Sequence, residues 1–557
     1  MIQSARIPKP YISSMVAAVA MVMACGNAQA FRFDTGSDDL KIRWDNTLKY
    51  STIYRLHDPD ETQLGHYLPS PAGDGDYNFK KGIASNRLDL LSEFDLVHNY
   101  NKGFRISATG WYDRVYNTTS DNPGVSHNQS VAADEFNSET ETAVGKDLEL
   151  LDAFGFYKGQ IGDMPASVRL GRHTVIYGET LMSGANGIAA AQGPVDIVKA
   201  ATVPGAQVKE FLLPTNQISA TLQPLENLSL GAYYQFKWEE SAFFPAGSFL
   251  SPNDVVGPGN ESFLQVIPGQ PWPQINHGED LTPDDSGQWG MQVRYRPEAL
   301  DVELGIYAAN YHDKLPSAIY TNVTPTGLTY SRAYQENIRT YGVSASTVLF
   351  DDNVSIEASV RDNMPLTGGL CPEGHPTGCG YFVNNLSGVA PVPVPDNNDN
   401  PAYAVGKTRH VTLVDIHIFQ PNFILRDGGS VATQFDWHQV HGVTKNPEMI
   451  DPTTTKSAST VTVAFTGDYY QVMNGLDLHV PIVWTHNLAG RSRTTVGWIE
   501  HGGSLDVGLN FDYRNTWKGG LNYHRFQGRE GPSIGNGSFD QTQFDRDYVS
   551  FNISRTF

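Results

Sequence analysis

The 557-residue chain carries 60 acidic against 39 basic residues, a net charge of −21, with 40% hydrophobic residues and three cysteines. That balance excludes nucleic acid as a partner, because phosphate binding requires a basic face. No apolar run reaches the roughly 20 residues of a membrane-spanning helix, and no linker of biased composition divides Leu40 from Phe557, so one large body is expected in place of several domains.

Residues 1–30 read as a signal peptide, with Arg6 and Lys9 before the apolar run Met15 to Ala24 and a small-x-small site at Ala28-Gln29-Ala30. A lipoprotein site at Cys25 is the rival reading, poorly matched by Met23. Cleavage after Ala30 leaves a mature chain from Phe31 with net charge −23 and two cysteines, Cys371 and Cys379, within a Gly/Pro-rich stretch. In an exported protein that pair reads as a disulfide in an exposed loop, 362–406, with a stabilising and not a redox role.

From Leu40 onward the dominant signal is a period of two. In the first segment Ile42, Trp44, Leu48, Tyr50 and Tyr54 share one face, and Arg43, Asp45, Thr47, Lys49, Ser51 and Arg55 the other. Leu88, Leu90, Phe94 and Leu96 oppose Arg87, Asp89, Glu93 and Asp95; after a short turn at 99–103, Phe104 and Ile106 oppose Arg105 and Ser107. The pattern recurs at Leu228–Lys237, Gln288–Tyr295 and Leu505–Arg514, and it closes on Tyr548–Phe557 with an aromatic C-terminal residue. Short turns alternate with long connections, and Tyr and Trp recur near segment ends, the rhythm of a membrane barrel with aromatic girdles. The expected fold is all-β: a transmembrane antiparallel β-barrel of about 18 strands, with 16 the alternative, since a closed single-chain barrel takes an even number.

One stretch departs from the alternation. Residues 178–210 contain Ser183-Gly184-Ala185-Asn186-Gly187-Ile188-Ala189-Ala190-Ala191 and Pro204-Gly205-Ala206, a composition suited to short helices and tight turns. It is expected to fold into the lumen as an irregular or helical plug or constriction, an ordinary external loop being the alternative. Its charged residues Glu179, Asp196, Lys199, Lys209 and Glu210 would latch it to the wall. Along the substrate path the expected inner-face residues are Arg43, Arg55, Arg87, Asp89, Glu93, Arg105, Asp113, Arg169, Arg172, Arg294 and Arg514. Opposed clusters of these would set a field across the lumen, or else simply pair with one another.

No Gly-x-Ser-x-Gly elbow, His-Glu-x-x-His helix, phosphate loop or dinucleotide fingerprint occurs. His438 and His441, three apart on a strand, face opposite ways and suit no common metal. Neither a catalytic residue, a cofactor nor a metal is therefore expected.

The string Arg87-Leu88-Asp89-Leu90-Leu91-Ser92-Glu93-Phe94-Asp95-Leu96, with Gly110-Trp111-Tyr112-Asp113-Arg114, Leu170-Gly171-Arg172, Tyr177-Gly178-Glu179, Pro194-Val195-Asp196 and Pro204-Gly205-Ala206, resembles the domain-of-unknown-function family 1302. The resemblance runs over most of the mature chain; Tyr177 stands where Trp is expected. It implies a Gram-negative outer-membrane barrel in contact with outer-membrane lipids, handling small amphipathic or hydrophobic solutes of lipid, steroid or aromatic type. A periplasmic partner protein and an inner-membrane exporter are the implied associates. A blocked barrel that docks an export system and an outer-membrane lipid or ester hydrolase are the competing readings.

Overall fold

An alternating segment can bury its polar half without water-filled edges only if the sheet curls back on itself. In the computed structural model, which describes residues 31–33, 35–64, 73–124, 130–264, 274–324, 327–369, 378–384, 399–531 and 539–557, the sheet closes in this way. Eighteen wall strands follow in chain order: β1 (Leu40–Arg55), β2 (Gly82–His98), β3 (Lys102–Asp113), β4 (Lys146–Ile161), β5 (Met164–His173), β6 (Thr215–Leu225), β7 (Leu228–Gln235), β8 (Trp289–Tyr295), β9 (Val302–Tyr311), β10 (Ile338–Leu349), β11 (Asp352–Pro365), β12 (Val405–Phe419), β13 (Gly429–Lys445), β14 (Ser457–Met473), β15 (Leu476–Ala489), β16 (Gly503–Tyr513), β17 (Trp517–Gln527) and β18 (Tyr548–Thr556). Each pairs antiparallel with its sequence neighbours, and β18 returns to β1 from Thr47↔Thr556 to Arg55↔Tyr548. Phe31–Phe33 adds a short strand against Ile42–Trp44. The sixteen-strand alternative is thereby set aside. Residues 420–428 form a further hairpin turn, between β12 and β13.

The register sorts side chains as the alternation requires. Lys49, Ser51, Arg55, Arg87 and Asp89 are buried on the inward parity, whereas Trp44, Tyr54, Leu90, Leu170 and Tyr234 are exposed on the outward one. Tyr50 has outward parity yet is buried, because it packs with Leu48, Leu88, Phe511, Trp517, Phe551 and Ile553 in an apolar cluster across the β1–β18 seam.

Short turns gather at one end of the barrel, joined there by Phe31–Phe33 and by Phe557, whose backbone exchanges hydrogen bonds with Asn46 at 2.8 Å in both directions. The long connections gather at the other end. Three of them contribute a separate six-stranded sheet ordered Gly378–Cys379, Phe382–Asn384, Ala318–Thr324, Gly327–Ala333, Gln274–His277, Ser262–Leu264. Its apolar side buries Val255, Val256, Phe263, Ile275, Ile319, Tyr330 and Tyr381. Asp280 ties this sheet down: burial opposes its ionisation, but hydrogen bonds from His277 and Arg332 outweigh that and hold its pKa down at about 2. The signal peptide and Cys371, hence the Cys371–Cys379 pairing, lie outside the described residues.

Candidate functional site: the segment inside the barrel

The segment 174–214 joins β5 to β6, whose ends His173 and Thr215 pair directly. Locally it folds as its composition dictates. Asp196 accepts a hydrogen bond from Lys199 N at 2.8 Å and caps α1 (Ile197–Thr202); Glu210 reaches back to Gln207 N at 2.8 Å and fixes the start of α2 (Val208–Phe211). Gly178, at φ +97°, lies so close to the Glu357 carboxylate that any Cβ there would collide with it.

One flank is stitched to β8–β13. Glu357 accepts hydrogen bonds from the backbone N–H groups of Glu179 (2.8 Å) and Ile188 (2.5 Å), and Arg361 donates to the carbonyls of Ala185 (3.0 Å) and Gly187 (2.9 Å). Gln434 accepts from Leu181 N and Met182 N at 2.9 and 2.8 Å. Asn186 meets His410 at 2.9 Å and Thr412 at 3.1 Å, while Glu179 pairs with Arg294 at 2.9 Å. The other flank reaches β1–β4 and β18: Glu210 pairs with Lys49 at 3.5 Å, Lys209 with Glu93 and Lys199 with Glu149, and Tyr548 donates to Ala201 O at 3.2 Å. Strands β2 and β11 stand half a ring apart, so the segment crosses the barrel interior from wall to wall.

These bonds place backbone N–H groups, which have no helix or sheet partner of their own, against inward side chains. Leaving a buried donor unsatisfied costs about 1–3 kcal/mol. Glu357→Ala strips the acceptor from Glu179 N and Ile188 N together, and we expect protease nicking within 178–190 of detergent-solubilised protein to accelerate while the barrel stays folded. Unchanged nicking would mean that Glu357 does not hold the segment.

Most of the sequence-predicted inner-face residues are engaged. Arg55 is fully buried and donates to Phe79 O (2.6 Å) and Asp545 (2.8 Å). Arg87 pairs with Asp89 at 2.8 Å and lies 4.9 Å over the Trp111 ring, which Lys199 approaches at 4.6 Å. Arg105 holds Glu93, Asp95 (3.0 Å) and Asp152 (3.0 Å); Asp113 accepts from Ser85 Oγ at 2.5 Å and from Asn86 N and Val115 N. Arg43 pairs with Asp45 at 2.5 Å, Arg169 lies 5.8 Å over Phe154, and Arg294 also meets Glu303. Two placements differ from expectation. Arg514 is exposed in the turn after β16, at φ +55° and 5.1 Å over Tyr513, because β16 ends one residue before it. Arg172 takes the outward parity of Leu170 and pairs with Glu239 at 2.6 Å, since Arg169 and Arg172 are an odd number of residues apart.

Glu357, Arg361, His410, Gln434 and Asp436 were not singled out from the sequence. Their only signal is an inward polar position on an alternating strand, shared with dozens of others.

The wall is covered unevenly. On β10–β13 the inward side chains Thr340, Ser344, Glu357, Ser359, Arg361, Thr408, Thr412, Gln434 and Asp436 are all buried. The register carries that parity onward to Thr460, Thr462 and Thr466 of β14, His479 and Thr485 of β15, Ser504, Asp506 and Asn510 of β16, and Asn522 and His524 of β17. Every one of these is only half-buried, and among the described residues no hydrogen bond or ion pair joins 174–214 to β14–β17.

A family model described as "Protein of unknown function (DUF1302)" matches residues 11–557. No curated protein matches the chain. Among solved structures, a BenF-like porin from Pseudomonas fluorescens Pf-5 aligns at 8% identity over 93% of this chain and 98% of its own, with a TM-score of 0.42. Acinetobacter baumannii OccAB1 aligns at 10% identity over 96% and 98% (TM-score 0.41), and Pseudomonas aeruginosa OccK2 (OpdF), solved in complex with glucuronate, at 8% identity over 95% and 99% (TM-score 0.40).

Proposed function

Because the chain belongs to the DUF1302 family along nearly its whole length, a family whose description leaves its function open, we propose from the architecture that it is an outer-membrane channel or gated transporter for small amphipathic or hydrophobic molecules, and not an enzyme. One observation carries this reading: the segment 174–214 bonds to two sides of the interior of a closed eighteen-strand barrel, while among the described residues no hydrogen bond or ion pair ties it to β14–β17. A closed barrel of this size has a lumen wide enough for solutes unless it is filled, and partial filling is how a barrel becomes selective. Outward-facing Trp44, Tyr54, Leu90, Leu170, Tyr234 and Met291 give the exterior the apolar character that lipid requires. On this reading residues 178–210 are the plug, and Glu179, Asp196, Lys199, Lys209 and Glu210 are its latches.

The test is solute flux through purified protein in liposomes. Small aromatic and aliphatic amphiphiles are expected to enter faster than protein-free leak and faster than sugars of equal mass. Flux equal to that of empty liposomes for every solute would overturn the proposal.

A further inference from the structure

The uneven covering of the wall fixes where a solute could pass. At the level of the plug, β8–β13 are occupied by hydrogen bonds to 174–192, and β1–β4 with β18 by ion pairs and hydrogen bonds to 196–210. Several of the arginines that the sequence offers as path residues are already engaged: Arg55 and Arg87 are buried in carboxylate pairs and Arg105 holds three carboxylates. Arg361, which the sequence does not single out, is spent on plug carbonyls. The interior that remains lies between the plug and β14–β17.

The two sides of that gap differ in chemistry. On the plug side, Leu181 is 53% and Val208 58% exposed. On the wall side the inward face is mostly polar: around Ala464, Pro481 and Val483, the residues Thr462, Thr485, Asn510 and Asn522 present hydroxyls and amides, and the carboxylates of Asp468 and Asp506 are each hydrogen-bonded to a histidine, His479 and His524, at 2.6 Å.

We propose that solute moves between Leu181 and Val208 of the plug and the inner face of β14–β17, so that the channel takes small molecules with one apolar and one hydrogen-bonding face. This deepens the channel reading and rests on it. A wholly apolar molecule would desolvate the Thr and Asn groups without replacing their water, and a wholly polar one would gain nothing from the plug edge. Among the described residues β14–β17 carry no inward arginine for an anion, Arg525 taking the outward parity of Leu505.

Single cysteines test the path in the full-length protein. Thr462→Cys and Asn522→Cys lie on the proposed path; Ser359→Cys lies behind the plug at 6% exposure. With the wild-type protein as the blank, a water-soluble cationic methanethiosulfonate is applied to protein in planar bilayers and vesicles, and adduct mass and single-channel conductance are read. The two path cysteines are expected to label and to lose roughly half the conductance, as a bulky charge at a constriction does, and Ser359→Cys is expected to do neither. Leu181→Trp, which adds no charge, is expected to slow amphiphile flux about two-fold or more while Ser359→Trp does not.

Labelling at 359 with conductance loss, or labelling at 462 and 522 without it, would overturn this path while leaving a channel in place. Wild-type protein that conducts nothing would instead remove the channel reading, and this inference with it.

Discussion

Replacing residues 174–214 by a short flexible turn raises the single-channel conductance roughly three- to tenfold, the expected gain when a partly filled lumen of eighteen strands opens. The substitution is geometrically mild. His173 and Thr215 are register partners on adjacent strands, so the ends to be joined already lie one strand spacing apart. None of the wall's backbone hydrogen bonds depends on the removed residues, because β5 and β6 pair with each other and with β4 and β7. The deletion also lowers selectivity: it removes the exposed apolar side chains of Leu181 and Val208, so sugars and amphiphiles of equal size should pass at more nearly similar rates. Unchanged conductance in correctly folded deletion protein would mean that the segment does not limit the lumen, and the proposed function would lose its main support.

Asp76→Ala is the substitution expected to cost most in stability, about 3–5 kcal/mol, the usual penalty for removing one member of a buried charge network. Asp76 bonds to Arg546 through both oxygens, at 3.0 and 2.9 Å, and stands 3.6 Å from Arg55. Asp545 balances the second positive charge by bonding Arg55 at 2.8 Å. Arg546 further donates to the carbonyls of Phe249 and Ser251 at 2.8 Å, so this cluster pins three long connections together at one end of the barrel. Removing Asp76 leaves two buried guanidiniums facing one carboxylate. The measurement is urea unfolding of the connections, followed by limited proteolysis within 240–260, against the barrel's own melting by gel mobility. The connections should open at lower urea while the barrel midpoint moves little, and Asp76→Leu with Arg546→Met should recover most of the loss, since an apolar pair leaves no charge uncompensated. Equal midpoints for wild type and Asp76→Ala would show the cluster to be neutral.

The barrel was legible because a period of two has one meaning per residue: a side chain is either in or out, and a run of ten fixes the face. Lys49, Arg55, Arg87, Glu93 and Arg105 could be assigned inward from that rule alone. Arg172 slipped because it was chosen by motif and not by parity with Leu170, and Arg514 because a strand boundary moves by a residue without leaving a mark in sequence. Residues 178–210 stand out as a break in the pattern, but the partners of that segment do not. Nothing in Glu357 or Gln434 distinguishes an acceptor of plug backbone from any other inward polar residue, since the pairing crosses some 170 to 250 positions of sequence. The six-stranded sheet escaped for a different reason. Its strands are two to seven residues long and two of its pairings are parallel, so the antiparallel pair Ala318–Thr324 and Gly327–Ala333 gives no sign of the sheet it joins.

The seam between β1 and β18 joins residues up to 509 positions apart, as where Thr47 and Thr556 meet at 2.9 Å. Until that last strand pairs, both margins of the sheet remain open to pairing with other chains. The last strand also holds the contents of the barrel, since Tyr548 donates to Ala201 O inside it. Loss of the last strand would therefore do more than shorten the protein, because it would leave a half-built trough with its contents exposed and two sticky margins, the state most prone to aggregation and most in need of an assembly chaperone.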